Sequence, residues 1–150
     1  MAERKQDFYS SFEQPNDNSV IISRGPNDGR IALKAAGERL HVIVLGEPEG
    51  ECLTGCFREG LDRGVLRPNM RALVDLTRFT GAVDWSAIYT VRVMAPWGND
   101  KDASRIAYVV RNNMFGALIK IAGVLFSNSR HRTFDDFDAA VAWLESDGRE

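Results

Sequence analysis

Residue types that would indicate a particular chemistry are scarce in this chain of 150 residues. Its two cysteines, Cys52 and Cys56, are too few for a disulfide framework and fit the reduced thiols of a cytoplasmic protein. Only two histidines occur, His41 and His131, and two thiols without histidine partners make a poor zinc site. No phosphate-binding loop, dinucleotide fingerprint, nucleophile elbow or zinc-protease motif is present. We therefore expect no metal, no cofactor and no enzymatic activity.

Clustered positive charge and long apolar runs are also lacking. The formal net charge is −2, and the arginines are scattered along the chain. Because phosphate binding needs clustered positive charge, we expect no nucleic-acid partner. The longest apolar run, residues 114–126, has 13 residues and contains Lys120, whereas a membrane-spanning helix needs about 20. The N-terminus has no apolar signal-peptide region. We therefore expect a cytoplasmic protein without a membrane span.

The order of predicted elements indicates an α/β fold. Residues 1–18 are polar and are predicted to form a mobile arm, followed by one domain over residues 19–150. Three closely spaced strands come first, so antiparallel hairpins are expected there. Strand and helix patterns then alternate, which predicts parallel central strands joined by crossover helices in a single mixed sheet.

Local signals predict where these elements begin and end. The predicted strands cover residues 19–24, 30–34, 39–45, 71–76, 104–110 and 130–134. Pro48 is expected to open the first helix and Gly64 to close it. Asp84 is predicted to cap a helix that runs to about residue 95. Thr133 and Asp136 resemble a capping box before the last helix.

The strand from Arg71, the turn after it and the helix cap at Asp84 predict a binding site. Open α/β sheets hold ligands beyond the carboxyl ends of parallel strands, close to helix N-termini. We therefore place the candidate site at the ends of the two central parallel strands. The predicted ligand-binding residues are Thr77, Arg78, Trp85, Trp97, Arg111, Asn113, Phe115, Leu118 and Ile119.

The helix predicted from Met114 to Phe126 is apolar on nearly all sides. Such a helix must be covered by something. Three explanations remain open: deep packing within the domain, a homodimer interface, or the wall of a pocket for an apolar ligand.

Several segments together resemble the STAS superfamily, and specifically its SpoIIAA-like branch. They are VDLTRFTG, DWSAI, SRIAYVV and the C-terminal pattern of Phe134, Phe137, Ala140, Trp143 and Leu144. The resemblance implies a non-enzymatic binding or regulatory domain, and some SpoIIAA-like proteins are thought to carry apolar ligands. In anti-sigma-factor antagonists a D-S-S-G-L motif carries a phosphorylated serine, which corresponds to Ser86 here. Trp85 and Ala87 depart from that motif.

These observations lead to one expected function and two alternatives. The expected function is non-enzymatic binding of a small apolar or amphipathic ligand, or of a protein partner. The first alternative is a phospho-regulated switch at Ser86. The second is an unrecognised enzyme that uses Asp75 or Asp84 as a base.

Overall fold

A six-stranded mixed β-sheet organises the protein. The computed structural model describes residues 19–36, 38–67, 70–80, 84–94, 104–111 and 129–146. The strands are β1 (Ser19–Arg24), β2 (Gly29–Ala36), β3 (Arg39–Gly46), β4 (Arg71–Asp75), β5 (Arg105–Val109) and β6 (Arg130–Phe134). The described helices are α1 (Gly50–Asp62), α2 (Trp85–Met94) and α3 (Phe137–Glu145).

The strands lie side by side in the order in which they occur in the chain. β1, β2 and β3 are antiparallel neighbours, and β3 to β6 run parallel to one another. Short hairpins can join antiparallel strands, whereas parallel neighbours need longer crossovers such as those that contain α1 and α2. The predicted fold class, an α/β mixed sheet with antiparallel N-terminal strands and parallel later ones, is confirmed.

Two predicted helix starts are wrong. The first helix starts at Gly50 with Glu49 as its N-cap, so Pro48 lies before the cap instead of opening the helix. In α3 the N-cap is Asp136, whose carboxylate accepts hydrogen bonds from the N–H groups of Asp138 and Ala139. Thr133 cannot form a capping box with it because Thr133 is still paired in β6. Gly64 does follow the end of α1, with the positive φ of 72° that favours glycine.

Alternating side chains of the strands pack into two apolar clusters. Along β4, Ala72 belongs to the larger cluster, which includes Cys56 of α1, while Leu73 belongs to the smaller cluster formed with α3. This alternation follows from the two-residue period of a strand. Because both faces of β4 are buried in apolar clusters, its sequence is a continuous apolar run and not an alternating one.

Two predicted segments lie outside the residues that the structure describes. They are the arm over residues 1–18 and the apolar helix over residues 114–126. Among the described residues, no helix is long and apolar enough to cross a membrane.

Candidate functional site

The turn after β4 is held by a buried carboxylate. Asp75 is 0% exposed, and its Oδ1 accepts hydrogen bonds from the backbone N–H of Thr77 at 2.9 Å and from the Thr77 hydroxyl at 2.7 Å. A buried carboxylate requires such donors because burial removes its hydration. Both residues therefore fix the path of the chain as it leaves the sheet, and the hydroxyl of Thr77 is directed into the turn.

The same turn is joined to the end of β3. The N–H of Gly46 donates to the carbonyl of Arg78 at 2.9 Å, and the N–H of Thr80 donates to the carbonyl of Gly46 at 2.9 Å. Gly46 has a φ of 61°, and a Cβ there would lie 1.9 Å from the carbonyl oxygen of Asp28, so only glycine fits. The backbone of Arg78 is thus fixed beside β3, while its side chain is exposed.

Asp84 lies where the N-termini of α1 and α2 meet. Its Oδ1 accepts a hydrogen bond from the N–H of Ala87 at 3.1 Å, which is the geometry of an N-cap. At the start of α1, a Cβ built on Gly50 would lie 2.1 Å from Oδ2 of Asp84. The carboxylate therefore faces the positive ends of two helix dipoles, an electrostatically favourable position for a negative charge.

One side of α2 is exposed and partly apolar. Ser86, Tyr89, Thr90 and Val93 are exposed, whereas Ala87 and Val91 are buried. The exposed residues have the i, i+3, i+4, i+7 spacing of a single helix face; we call them the α2 outer stripe. Tyr89 at 56% and Val93 at 61% are the exposed large hydrophobic residues in the part of the chain that the structure describes.

The α2 outer stripe was missed in the sequence. Apolar residues occur on both sides of this helix, so periodicity alone does not identify the buried side. A signal was present in the polar residues Ser86 and Thr90, which share the exposed face with Tyr89 and Val93.

The structure describes only part of the predicted ligand site. Thr77 and Arg78 follow β4, and the exposed Arg111 follows β5 after Val110, whose N–H donates to the carbonyl of Phe134 at 2.9 Å. Trp85 and Ser86 are the first two residues of α2, and Ser86 is exposed. The remaining predicted residues Trp97, Asn113, Phe115, Leu118 and Ile119 lie outside the described residues, as does the side chain of Trp85.

The opposite, amino end of the parallel strands carries a row of arginines. The register pairs Arg39 with Arg71, Arg71 with Arg105, and Arg105 with Arg130 across β3 to β6. These four residues are far apart in the chain, so they count as scattered charge in the sequence. Only the register of the sheet brings them into one row, which we call the arginine row.

The arginine row contacts the end of α3. The Nη1 atom of Arg71 donates to the carbonyl of Leu144 at 2.8 Å, and that of Arg105 donates to the carbonyls of Ser146 at 2.5 Å and Trp143 at 3.3 Å. The last carbonyls of a helix have no partners within the helix and carry the negative end of its dipole. These arginines therefore supply both hydrogen bonds and compensating charge.

Positive charge near the row affects two ionisable groups. An ion pair with Arg39 lowers the pKa of Glu145, since the guanidinium donates hydrogen bonds to the carboxylate. The pKa of His41 is lowered to about 4, first by burial and then by the charges of Lys34 and Arg39. His41 is therefore neutral near pH 7. The amino end of the parallel strands has a structural role, since its arginines hold the end of α3.

The potentially reactive side chains of Cys56 and Tyr108 have partners within the fold. The thiol of Cys56 is buried beside the carbonyl of Ile31, with its sulfur 3.7 Å from the oxygen, and burial raises its pKa to about 11. The buried hydroxyl of Tyr108 lies 3.0 Å from Nδ1 of His131, and burial raises the pKa of Tyr108. Within the described ranges, no three or more His, Cys, Asp or Glu side chains form a group that could hold a metal ion.

Comparison with known proteins agrees with this architecture. A model of the SpoIIAA-like family matches residues 40–145, which is more than half of the chain. A solved structure of an uncharacterised DUF3478-family protein from Shewanella loihica PV-4, with a SpoIIAA-like fold, is similar with a TM-score of 0.51 and 18% identity. The similarity covers 87% of this chain and 97% of that protein. No curated protein matches the sequence.

A SpoIIAA-like domain is in general a regulatory binding domain and is generally non-enzymatic. The match begins at the second residue of β3 and ends at the last residue of α3, so it includes the turn after β4, the cap at Asp84 and three residues of the arginine row, Arg71, Arg105 and Arg130. The chain belongs to the SpoIIAA-like family.

Proposed function

We propose that this protein is a non-enzymatic regulatory domain that binds a protein partner through the α2 outer stripe. The observation that carries the proposal is the exposure of Tyr89 and Val93 on one face of α2. Tyrosine is enriched at protein interfaces, since it combines a large apolar surface with a polar hydroxyl. Ser86 and Thr90 supply polar groups on the same face.

The position of α2 supports this role. Asp84 caps the helix, and the buried Ala87 lies against the start of α1, where a Cβ on Gly50 would be 3.1 Å from the Ala87 Cβ. A helix fixed in this way presents its exposed side chains with little loss of conformational entropy on binding, and such preorganisation favours affinity.

Site-specific photo-cross-linking tests the proposal. A photoreactive phenylalanine derivative at position 89 should trap a partner in cells, whereas the same group at the exposed Arg58 of α1 should not. Val93→Asp should weaken trapping at position 89 about tenfold or more, because a charge would be buried in an apolar contact. Equal trapping at the two positions, or trapping that is insensitive to Val93→Asp, would contradict the proposal.

Phosphorylation of Ser86 is a second candidate because this hydroxyl-bearing residue is exposed at the beginning of the stripe. A phosphate at a helix N-terminus is favoured by the helix dipole, but the Asp84 carboxylate in the same turn would repel it. Peptide mapping after incubation with cell lysate and ATP tests this idea. A Ser86 peptide that stays unmodified under all conditions would eliminate the switch.

An amphipathic ligand at the carboxyl end of the strands is a third candidate. Arg78 and Arg111 are exposed and follow neighbouring parallel strands, where they could bind an anionic head group. Native mass spectrometry of the freshly purified protein, together with tryptophan fluorescence during a fatty-acid titration, tests it. An apo mass and unchanged fluorescence would contradict ligand binding.

A further inference from the structure

One face of the three antiparallel strands lies beside α3 and not beneath it. Leu33 and Val42 pack with Cys56 of α1 in the larger apolar cluster. Side chains alternate along a strand, so Lys34 and His41, which are paired in the register, lie on the opposite face. We call this side of β1, β2 and β3 the second face. The described helix on that side of the sheet, α3, packs on β4, β5 and β6.

The second face combines apolar side chains with positive charge. Its apolar residues are Ile21, Ala32, Ile43 and Leu45, and its basic residues are Arg30, Lys34 and Arg39. The three strands contain no acidic residue. A partner that fits this face should therefore carry apolar side chains together with negative charge.

The burial of Ile43 indicates that the second face has a cover. Its side chain is 5% exposed, yet it belongs to neither of the two apolar clusters formed by the described residues. Lys34, on the neighbouring strand, is also buried, at 8% exposure. The described apolar residues do not account for this burial, which exists within one chain. The cover therefore points to a segment of the same chain outside the described ranges.

Residues 6–18 have the composition that this face requires. Their aromatic residues are Phe8, Tyr9 and Phe12, their acids are Asp7, Glu13 and Asp17, and they include no basic residue. The segment ends where β1 begins, at Ser19. An extended chain spans at most about 3.6 Å per residue, so Phe12 can lie up to about 25 Å from Ser19. Neighbouring strands are about 4.8 Å apart, so the whole width of the second face is within reach.

We propose that residues 6–18 lie on the second face and cover its apolar residues with their aromatic side chains. Phe12 packs on Ala32 and Ile43, which are paired in the register. The acids of the segment lie over a face whose charged residues are all basic, which is electrostatically favourable. The N-terminal segment is then a part of the folded domain and an internal partner of the sheet.

An intramolecular cross-link tests this contact in the full chain. A photoreactive phenylalanine derivative at position 12 should attach to peptides from β2 or β3, identified by mass spectrometry after irradiation and digestion. The same group at the exposed Arg58 of α1, on the other side of the sheet, should not attach to the second face. The product from position 12 should have the mass of one chain, because the contact is made within the chain.

Two charge reversals test the electrostatic part of the contact. Glu13→Lys should lower the yield of the cross-link from position 12 by about threefold or more, because it places a positive charge over a basic face. Glu3→Lys makes the same change of charge outside residues 6–18, and it should leave the yield unchanged.

Three outcomes would overturn the proposal. The first is a position-12 product with no attachment to β2 or β3. The second is a product with the mass of two chains, which would make another copy the occupant of the second face. The third is an equal yield for Glu13→Lys and Glu3→Lys. Partner trapping at Tyr89 is a separate measurement on α2, which packs beside α1, so the two proposals can fail independently.

Discussion

The two ends of the parallel strands use arginine in opposite ways. At the amino end, Arg105 is 2% exposed and donates to the last carbonyls of α3. At the carboxyl end, Arg78 and Arg111 are exposed beyond the strands. A buried guanidinium needs acceptors in fixed positions, whereas an exposed one keeps its hydration. The amino end therefore stabilises the fold, whereas the guanidinium groups at the carboxyl end are exposed to solvent.

Removal of one arginine at each end should give the largest contrast. Arg105→Ala should lower the free energy of unfolding by about 2–4 kcal/mol, because it removes the hydrogen bonds of a buried guanidinium to the carbonyls of Trp143 and Ser146 and its packing against the Trp143 ring. Arg111→Ala should change it by less than about 0.5 kcal/mol. Urea unfolding of the two variants measures the difference. Equal stabilities would refute the structural role of the arginine row.

Lowering the pH should destabilise the protein through His41, which lies near the amino end of the parallel strands. The unfolded chain protonates His41 below pH 6.5, but the folded protein does so only near pH 4. The unfolded state therefore binds more protons in this window. As the pH falls from 6.5 to 4, this group should lower the free energy of unfolding by up to about 3 kcal/mol. The charged groups around it are Lys34 and Arg39, which lower its pKa, and Glu145, which opposes them.

The variant His41→Leu isolates this contribution. Urea unfolding at several pH values should show a shallower loss of stability between pH 6.5 and 4 than in the parent protein. Above pH 6.5 the group is neutral in both states and adds no pH dependence. Parallel curves for the two proteins through the window would show that His41 is not held in its neutral form.

At the carboxyl end, the helix cap should have a moderate effect. Asp84→Ala removes the acceptor of the Ala87 N–H and should cost about 1 kcal/mol. Asp136→Ala at the start of α3 should cost a similar amount because it removes an equivalent cap. Thermal unfolding compares the two variants. A much larger loss for Asp84→Ala would mean that its proximity to the start of α1 also contributes to stability.

The sequence predicted local features best. The strand Arg130–Phe134 has the predicted bounds, and β1 also agrees. The predicted helix starts were less accurate. Pro48 and Thr133 match sequence patterns typical of a helix start, but neither residue begins a helix in the folded chain. In α3, strand pairing holds Thr133 in β6 and leaves the cap to Asp136.

The predicted ligand site stays a prediction, because the structure describes only part of it. Its location followed from a general rule about parallel sheets, and the structure describes Arg78, Asp84, Ser86 and Arg111 there. The exposed face of α2 was not predicted, since Tyr89 and Val93 are apolar and either side of the helix could have been buried. The packing of α2 against α1 determines which side of the helix is buried.

Strand and helix order, the cap at Asp84 and the α/β class are encoded in neighbouring residues, because hydrophobic period and capping preference act over a few positions. The alignment of Arg39, Arg71, Arg105 and Arg130 depends instead on the register of separate strands. Contacts between distant segments set this alignment, so it exists only once the sheet has formed.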